Sequence, residues 1–312
     1  MVSRTDFVQS MLLEEDYSIL YIARSLDSTI QWLMDHNLVF SNPICAVCQN
    51  FNMHHIKDTS KADKLRLRCS NKNCLATKSF RWKSFFEDHK LSLMELVQIM
   101  FHYFIRNDSM KKITKHLPAK TKAISNVYSK LRTVISDYME ALKLGGQLGI
   151  ERMQGMEHGI VEIDETLMTH YNGQQMWVFG IFDRVTKELR CFAVQDRSSE
   201  SLIPIIKEHV VPGAKIYSDG WLAYHNLERE GYRHTVVLHV DGFGSESETI
   251  NGIESCWSEL KRFTKQDQGI QLSDFNPLNS LQEYVNVGTW RRMSKGQNLI
   301  GELIDVIKYS YF

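Results

Sequence analysis

The second half of the sequence predicts an α/β fold built on a mixed β-sheet. A buried strand, "GIVEIDET", precedes "QMWVFGIFDRVTKELRCFAVQD", a pattern typical of two strands that turn at "DRVTKE". After this hairpin, helical and strand patterns alternate. An antiparallel hairpin followed by alternating α and β units predicts a mixed sheet with helices on both faces.

Five further segments complete this predicted domain, residues 150–295. We predict a serine-capped helix in "SSESLIPIIKEHVV", a strand in "AKIYSDG", a helix in "WLAYHNLERE", a strand in "RHTVVLHV" and a helix that opens with "INGIESCWSELKRF". This order of three strands, helix, strand, helix, strand and helix is that of the ribonuclease H fold. A C-terminal helix is predicted for residues 296–312, and the glycine-rich segment 144–149 is the best candidate for a linker.

Three carboxylates lie where this topology brings elements together. Asp164 ends the first strand, Asp219 ends the fourth, and Glu254 lies in the helix after the fifth. Because the first and fourth strands are neighbours in this fold, we expect the two aspartates to meet, with Glu254 across them. Three like charges at one point are costly unless cations neutralise them, and Mg²⁺ (or Mn²⁺) prefers such oxygen ligands. The pattern therefore predicts a two-metal site for displacement at phosphorus.

The same helix carries Lys261 seven residues after Glu254, about two turns further along one face. We expect its ammonium group to meet a DNA phosphate, and Trp257 to anchor the helix to the sheet or to stack near the DNA. Taken alone, such a helix face is also typical of a solvated surface. Glu165 adjoins Asp164, but alternation along the strand predicts that it points to the opposite face.

The charge of the chain is zero overall but is unevenly distributed. Residues 41–143 hold 19 Lys and Arg against 8 Asp and Glu, whereas the remainder holds 18 against 29. A basic front and an acidic back predict a module that binds a polyanion joined to a second, metal-dependent part. With no apolar run long enough to span a bilayer and no secretory signal, we expect no membrane contact. The expected location is nuclear in a eukaryote and otherwise cytoplasmic.

Residues 41–88 carry four closely grouped cysteines behind an N-terminal helical segment, residues 1–40. Cys45 and Cys48 form a Cys-x2-Cys pair, and Cys69 and Cys74 a Cys-x4-Cys pair. Four thiolates suit tetrahedral Zn²⁺, so the spacing predicts a zinc ribbon. Uncoordinated thiols are the alternative, and His54 and His55 are alternative ligands.

Basic residues in and beyond the ribbon suggest a surface for double-stranded DNA. Residues 89–143 predict three helices with a short middle one, similar to a helix-turn-helix, although a helical bundle without DNA contacts has the same pattern. A solvated lysine-rich surface is the alternative for the ribbon. The candidate DNA-binding residues are Arg66, Arg68, Arg81, Lys120, Lys122, Lys130 and Arg132.

The motifs "VEIDET", "YSDGWLAY", "NGIESCWSELKR" and "EYVNVGTWRR" resemble those of the DDE transposases of the Merlin superfamily and their bacterial ISXO-like relatives. The resemblance covers roughly residues 150–295, and the ribbon is similar to that family's N-terminal zinc module. It implies that Asp164, Asp219 and Glu254 are the catalytic triad and that Lys261 contacts DNA. Asn251 is the alternative third residue, because some bacterial relatives are described with Asn there.

The resemblance also implies an enzyme that cleaves DNA at the terminal repeats of a mobile element and joins them to target DNA, as a homo-oligomer on the DNA. The segment after Asp164 is shorter and less basic than in many relatives, and "SETINGIE" stands where they often have His-Thr. The alternatives are a metal-dependent nuclease of the same fold, a domesticated descendant that only binds DNA, and a zinc-binding scaffold without DNA.

Overall fold

The computed structural model describes residues 22–49, 51–106, 108–143, 145–150, 159–237, 249–266 and 270–312. The predicted helical residues 1–21, His239 at the end of "VVLHV" and the loop 241–248 lie outside the described residues. The chain divides into two compact units, residues 1–134 with 294–312 and residues 135–293. In the described part of the chain, no helix is long and apolar enough to cross a membrane.

The first unit combines a small antiparallel sheet with helices. Its sheet has the order β1-β2-β3. Ser92 and Glu95 form a capping box that begins α2, and Ser109 precedes the short α3. The elements are α1 (Leu26–Asp35), β1 (Met53–Lys57), β2 (Leu65–Cys69), β3 (Thr77–Ser79), α2 (Leu93–Phe104), α3 (Met110–Ile113), α4 (Thr121–Lys143, which runs on into the second unit) and α8 (Leu299–Tyr311).

The second unit contains a five-stranded mixed sheet in the order β6-β5-β4-β7-β8. The first three strands pair antiparallel, whereas β7 and β8 run parallel to β4. This order confirms the predicted ribonuclease H-like fold, with the first and fourth strands adjacent. The elements are β4 (Ile160–Tyr171), β5 (Gln174–Asp183), β6 (Leu189–Val194), α5 (Ser199–His209), β7 (Lys215–Ser218), β8 (Arg233–Val236), α6 (Asn251–Gln266) and α7 (Pro277–Met293).

Two predicted elements differ from the structure. The expected helix in "WLAYHNLERE" is only a 3₁₀ turn, Leu222–Tyr224, followed by further turns. Buried Tyr224 and Leu227 hold this short connection against the sheet, and its backbone bonds span three residues instead of four. Asp164 lies within a long β4 and not at its end, but β7 pairs only with Ile160–Glu162. Asp164 therefore still lies just beyond the parallel pair.

The sheet has a separate apolar core on each face. One core joins Ile163, Phe179 and Ile181 to α5 and to Tyr224. The other joins Val178 and Phe182 to apolar residues of α6 and α7. The helix that carries Glu254 is thus packed on the face of β4 and β5 toward which Asp164 points.

Candidate active site

Asp164 is held in place by Trp257 of α6. The indole Nε1 donates a hydrogen bond to Asp164 Oδ2 at 2.8 Å. Gly180 lies directly opposite Asp164 on β5, and a Cβ added there would be 2.4 Å from the Trp257 ring. The glycine therefore makes room for the indole, and the indole fixes the carboxylate.

Asp219 immediately follows β7 and begins a tight turn. Its Oδ1 accepts the backbone N–H of Trp221 at 3.0 Å, so the turn orients the carboxylate. Asp219 is half-buried, as are Asp164 and Glu254. All three are thus partly accessible to solvent.

The N-terminus of α6 is fixed to β4 by a buried carboxylate. Glu162 lies two residues before Asp164, on the same face of the strand, and its Oε2 accepts the N–H of Ile253 at 2.8 Å. Arg184 donates from Nε to Glu162 Oε1 at 2.6 Å and also binds the carbonyl of Thr249. A carboxylate at a helix N-terminus is favourable, and here it sets the position of Glu254 one residue further on.

Asp164 lies within electrostatic range of Asp219 and Glu254, although among the described residues only the four cysteines bring three or more potential ligand atoms within 4.8 Å of one another. Burial raises the pKa of Asp164 from 3.8 to about 6, the bond from Trp257 opposes this, and the charges of Asp219 and Glu254 raise it further. Such mutual repulsion is what a bound divalent cation relieves. The half-buried carboxylates therefore fit a hard cation that prefers oxygen ligands.

Glu165 lies on the other face of the strand, as the alternation predicts. Tyr224 donates a hydrogen bond to its Oε1. Burial raises the pKa of Glu165 to about 8, and the charges of Asp164 and Asp219 add to the effect. Glu165 is thus close enough to the cluster to feel its charge while its own oxygen is occupied by the tyrosine.

Lys261 and Asn251 occupy different environments on α6. Lys261 is half-buried two turns beyond Glu254, whereas Asn251 is exposed at the first residue of the helix. The charge of Glu254 acts on Asp164. The choice between Glu254 and the uncharged Asn251 as third residue stays a prediction.

The four cysteines come together in the first unit. Their Sγ atoms all lie within 4.8 Å of one another, with Cys45 to Cys74 at 3.8 Å and Cys48 to Cys69 at 3.6 Å. Four sulfurs at about 2.3 Å from one ion would be about 3.8 Å apart, so the cluster fits tetrahedral zinc. Backbone N–H groups of Cys48 and Val47 lower the pKa of the Cys45 thiol to about 6, whereas burial raises the pKa of the Cys69 thiol to about 12. Thiolates at all four positions therefore need the charge of a bound cation.

The histidine alternatives do not join the thiols. His54 Nδ1 lies 3.2 Å from the Ser70 hydroxyl, and the His55 ring packs edge-on against Phe80. In the described residues the cysteine cluster contains no histidine.

The candidate DNA-binding residues divide into two groups. Arg81 is a correction to the sequence prediction: it is buried, pairs with Asp63 and donates to the carbonyls of His89 and Leu91 at 2.8 and 2.6 Å. Its guanidinium therefore stabilises the ribbon and does not face DNA. The others are exposed or half-exposed: Arg66, Arg68, Lys120, Lys122, Lys130 and Arg132.

Two of these cations have nearby acidic partners. Lys130 lies 3.5 Å from the exposed carboxylate of Asp88, and Arg66 lies 3.8 Å from the half-buried carboxylate of Asp58. Each pair has one solvent-exposed partner, and ion pairs near the surface are weak.

Comparison with known proteins assigns the chain to a family. The profile of the ISXO2-like transposase domain matches residues 155–291, which include all three carboxylates. An uncharacterized transposase-like protein of Haemophilus influenzae is 30% identical over 98 residues, which cover 31% of this chain and 75% of the relative. The chain belongs to the ISXO2-like transposase family. This confirms the resemblance to ISXO-like DDE transposases that the four sequence motifs indicate.

Solved structures similar to this transposase come from retroviral integration. The simian T-cell lymphotropic virus intasome, in complex with the PP2A regulatory subunit B56γ, gives a TM-score of 0.31 at 16% identity, covering 62% of this chain and 66% of that one. The HTLV-2 integrase catalytic core domain, in complex with magnesium, gives 0.28 at 12% identity, covering 42% and 82%. At such TM-scores these similarities support no inference. The assignment of the fold therefore depends on the strand order of the sheet alone.

Sequence reasoning missed three residues that build the site of the transposase. Glu162 and Arg184 anchor α6, and Gly180 accommodates Trp257. Period-two alternation in "VEIDET" places Glu162 on the face of Asp164 and could have indicated it. The roles of Arg184 and Gly180 depend on strand register, which the sequence does not state.

Proposed function

We propose that Asp164, Asp219 and Glu254 form one metal-binding centre with which this transposase cleaves DNA at the ends of a mobile element and joins those ends to target DNA. The single observation that carries the proposal is the placement of the acids: β7, which Asp219 follows, pairs with β4 beside Asp164, and Trp257 of the helix that carries Glu254 bonds to Asp164. Three carboxylates that repel one another in a half-buried site are suited to binding divalent cations.

The residues of the chain have separate tasks in this proposal. Two Mg²⁺ or Mn²⁺ ions, when bound, supply charge stabilisation for the attacking and leaving oxygens. Trp257 and the turn at Trp221 hold the carboxylates of Asp164 and Asp219 in fixed orientations. Lys261 binds a DNA phosphate two helical turns beyond Glu254, which sets the position of the strand relative to the acids.

The first unit supplies DNA binding in the same proposal. The cysteine cluster holds Zn²⁺ and thereby folds the ribbon, since the module has little apolar core of its own. Exposed cations such as Lys120 and Lys122 contact the phosphate backbone of double-stranded DNA. The protein acts as a homo-oligomer on the element ends, in the nucleus of a eukaryote or the cytoplasm of a bacterium.

The test uses DNA that flanks the gene, which contains the terminal repeats if the gene lies within an element. The full chain with Mg²⁺ should cleave and join this DNA. Asp164→Asn, Asp219→Asn and Glu254→Gln should each abolish both steps and retain DNA binding, because each variant removes a ligand and leaves the basic unit intact.

Two further variants complete this experiment. Lys261→Ala should weaken the binding of element ends, and Asn251→Ala should have a mild effect if Glu254 is the third ligand. Full cleavage by Asp219→Asn, or the same cleavage without divalent ions, would overturn the mechanism. Cleavage without joining would instead identify a nuclease.

A further inference from the structure

The proposed mechanism does not use a groove at the far end of the β4–β5 hairpin. The groove has a volume of about 830 Å³ and is open to solvent. This volume lies within the range of pockets that hold small molecules, and it is too small to admit a duplex. Its walls include Gln174, Gln175, Trp177, Gln195, Arg197 and Asn276.

The guanidinium group of Arg197 lies between two tryptophans. Its Cζ is 4.0 Å from the ring of Trp177 and 4.1 Å from the ring of Trp221. Both rings therefore pack against the guanidinium group. Across the described residues, no side chain or carbonyl accepts a hydrogen bond from its N–H groups, although its charge acts on that of Glu165. Arg197 is thus a rigidly held, half-exposed cation that can donate to a ligand.

This stack is connected to the acidic cluster. The backbone N–H of Trp221 binds the carboxylate of Asp219, and its indole Nε1 binds the Arg197 carbonyl at 2.9 Å. Trp177 pairs with Leu167, three residues beyond Asp164 on β4, and it packs on the α5 face of the sheet, whereas Asp164 points to the α6 face. The connection to the acidic cluster therefore runs through Asp219.

The rest of the groove offers groups that can hydrogen bond to bases. The side-chain amides of Gln174, Gln175 and Gln195 each provide both donors and acceptors, whereas Asn276 Oδ1 already accepts the N–H of Asn279. The acidic residue of the groove, Asp196, is already used: its Oδ1 accepts from the N–H of Ser198 and from two serine hydroxyls at the start of α5. These hydrogen bonds lower the pKa of Asp196, so its negative charge remains and offsets the positive charge that Arg197 supplies to the groove.

An aromatic ring lies in the chain next to this groove. Phe275 directly precedes Asn276 and is 98% exposed, so it contributes nothing to the core. Exposed aromatic rings beside cations and amides are the combination that single-stranded nucleic acids require, because each base has a face to stack and edges to bond.

We propose that this groove holds unpaired nucleotides of the DNA strand next to the scissile phosphate. Arg197 donates to a phosphate or to a guanine edge, the amides contact base edges, and a base stacks on Phe275. The inference rests on the proposed function, because it takes DNA to be the molecule that approaches Asp219. It extends that function by giving the enzyme a binding site for DNA strands that are already separated.

The test compares two DNA probes with the full chain. One is a fluorescently labelled 20-base-pair duplex, and the other is the same duplex with a five-nucleotide single-stranded 3′ extension. Binding is measured by anisotropy in Ca²⁺, to hold cleavage back. Wild type should bind the extended probe about tenfold more tightly, as one or two stacking and charge contacts would give.

Three variants make the result specific. Arg197→Ala and Phe275→Ala should reduce the preference several-fold and leave duplex affinity unchanged. Arg197→Lys should also reduce it, because it keeps the charge and loses the planar stack. Lys187→Ala, which removes an exposed cation from the opposite end of β5, should keep the preference.

The outcomes separate this inference from the proposed catalytic function. Since Phe275 is exposed, its replacement cannot act through unfolding. Equal affinity of wild type for both probes, or an undiminished preference in both Arg197→Ala and Phe275→Ala, overturns the groove as a strand-binding site. Binding is read without cleavage, so the result stands whether or not the triad variants abolish activity. Displacement of the probe by an unrelated extended peptide would also overturn it, in favour of a groove that binds peptide.

Discussion

Replacing Asp164 by Asn should make the metal-free transposase more stable near neutral pH. Burial, together with the charges of Asp219 and Glu254, raises the pKa of Asp164 from 3.8 to about 6. The folded protein therefore resists ionisation of this carboxyl group more than the unfolded chain does. Asn carries no charge, and its amide oxygen can still accept the hydrogen bond of Trp257.

The magnitude follows from the size of the shift. A shift from 3.8 to about 6 is about two pKa units, and at about 1.4 kcal/mol per unit it amounts to about 3 kcal/mol, an upper value for a half-buried group. The folded state binds the proton more tightly, so the stability of the wild type falls as the pH rises from about 4 to about 6. Above about pH 6 the ionised Asp164 lowers the free energy of unfolding by the full amount. Below about pH 4 its carboxyl group is protonated in both the folded and the unfolded protein, so it has no such effect.

Thermal unfolding in magnesium-free buffer measures this difference, and leaving out chelator spares the Zn²⁺ that we propose for the four cysteines. At about pH 7.5 the midpoint of Asp164→Asn should exceed that of wild type by several degrees, and near pH 4 the two should agree. Added Mg²⁺ should stabilise wild type and leave the variant unchanged.

A second aspartate supplies the matched control. Hydrogen bonds from Ser198 and Ser201 lower the pKa of Asp196, so Asp196→Asn should reduce stability at neutral pH instead of raising it. If Asp164→Asn is no more stable than wild type at about pH 7.5, or if the difference does not shrink toward low pH, the three acids do not repel one another as described.

Three other predictions concern the ribbon, the basic surface and the glycine beside Asp164. Elemental analysis should find one zinc per chain in wild type, and Cys69→Ser should lose it; retention of zinc by that variant would disprove the four-cysteine site. Duplex affinity should fall by orders of magnitude between about 50 and 200 mM salt, because phosphate contacts release counterions, and salt-independent binding would mean that the cations are only solvated. Gly180→Ala should displace Trp257, lower the free energy of unfolding by about 1–3 kcal/mol and reduce cleavage. Gly301→Ala, with no atom within 3.4 Å of the added carbon, should be neutral. Equal effects of the two variants in unfolding and cleavage assays would refute the fit between Gly180 and the indole.

The sequence predicts the order of strands well because each strand has a distinct apolar pattern. Once the order of strands along the chain is known, the fold makes β4 and β7 neighbours in the sheet. The expected proximity of Asp164 and Asp219 follows from this pairing. The four cysteines are predictable for a similar reason, since their spacing specifies tetrahedral geometry.

The sequence does not predict contacts that depend on how distant segments meet. Arg81 looks like one more cation of a basic ribbon, and only the fold brings it to Asp63 and removes it from the surface. Similarly, "WLAYHNLERE" has a helical pattern, but the burial of Tyr224 against Glu165 keeps it as a short turn. The position of Arg197 between two tryptophans also has no signature in the sequence.

Counting divalent ions at Asp164, Asp219 and Glu254 tests the central claim most directly. Electron paramagnetic resonance of Mn²⁺ added to the full chain on DNA reports both the number of bound ions and their spin coupling. Wild type should bind two coupled ions about 4 Å apart, and Asp219→Asn and Glu254→Gln should each lose the coupled pair. The same coupled Mn²⁺ signal in both variants would contradict a shared metal centre at these three carboxylates.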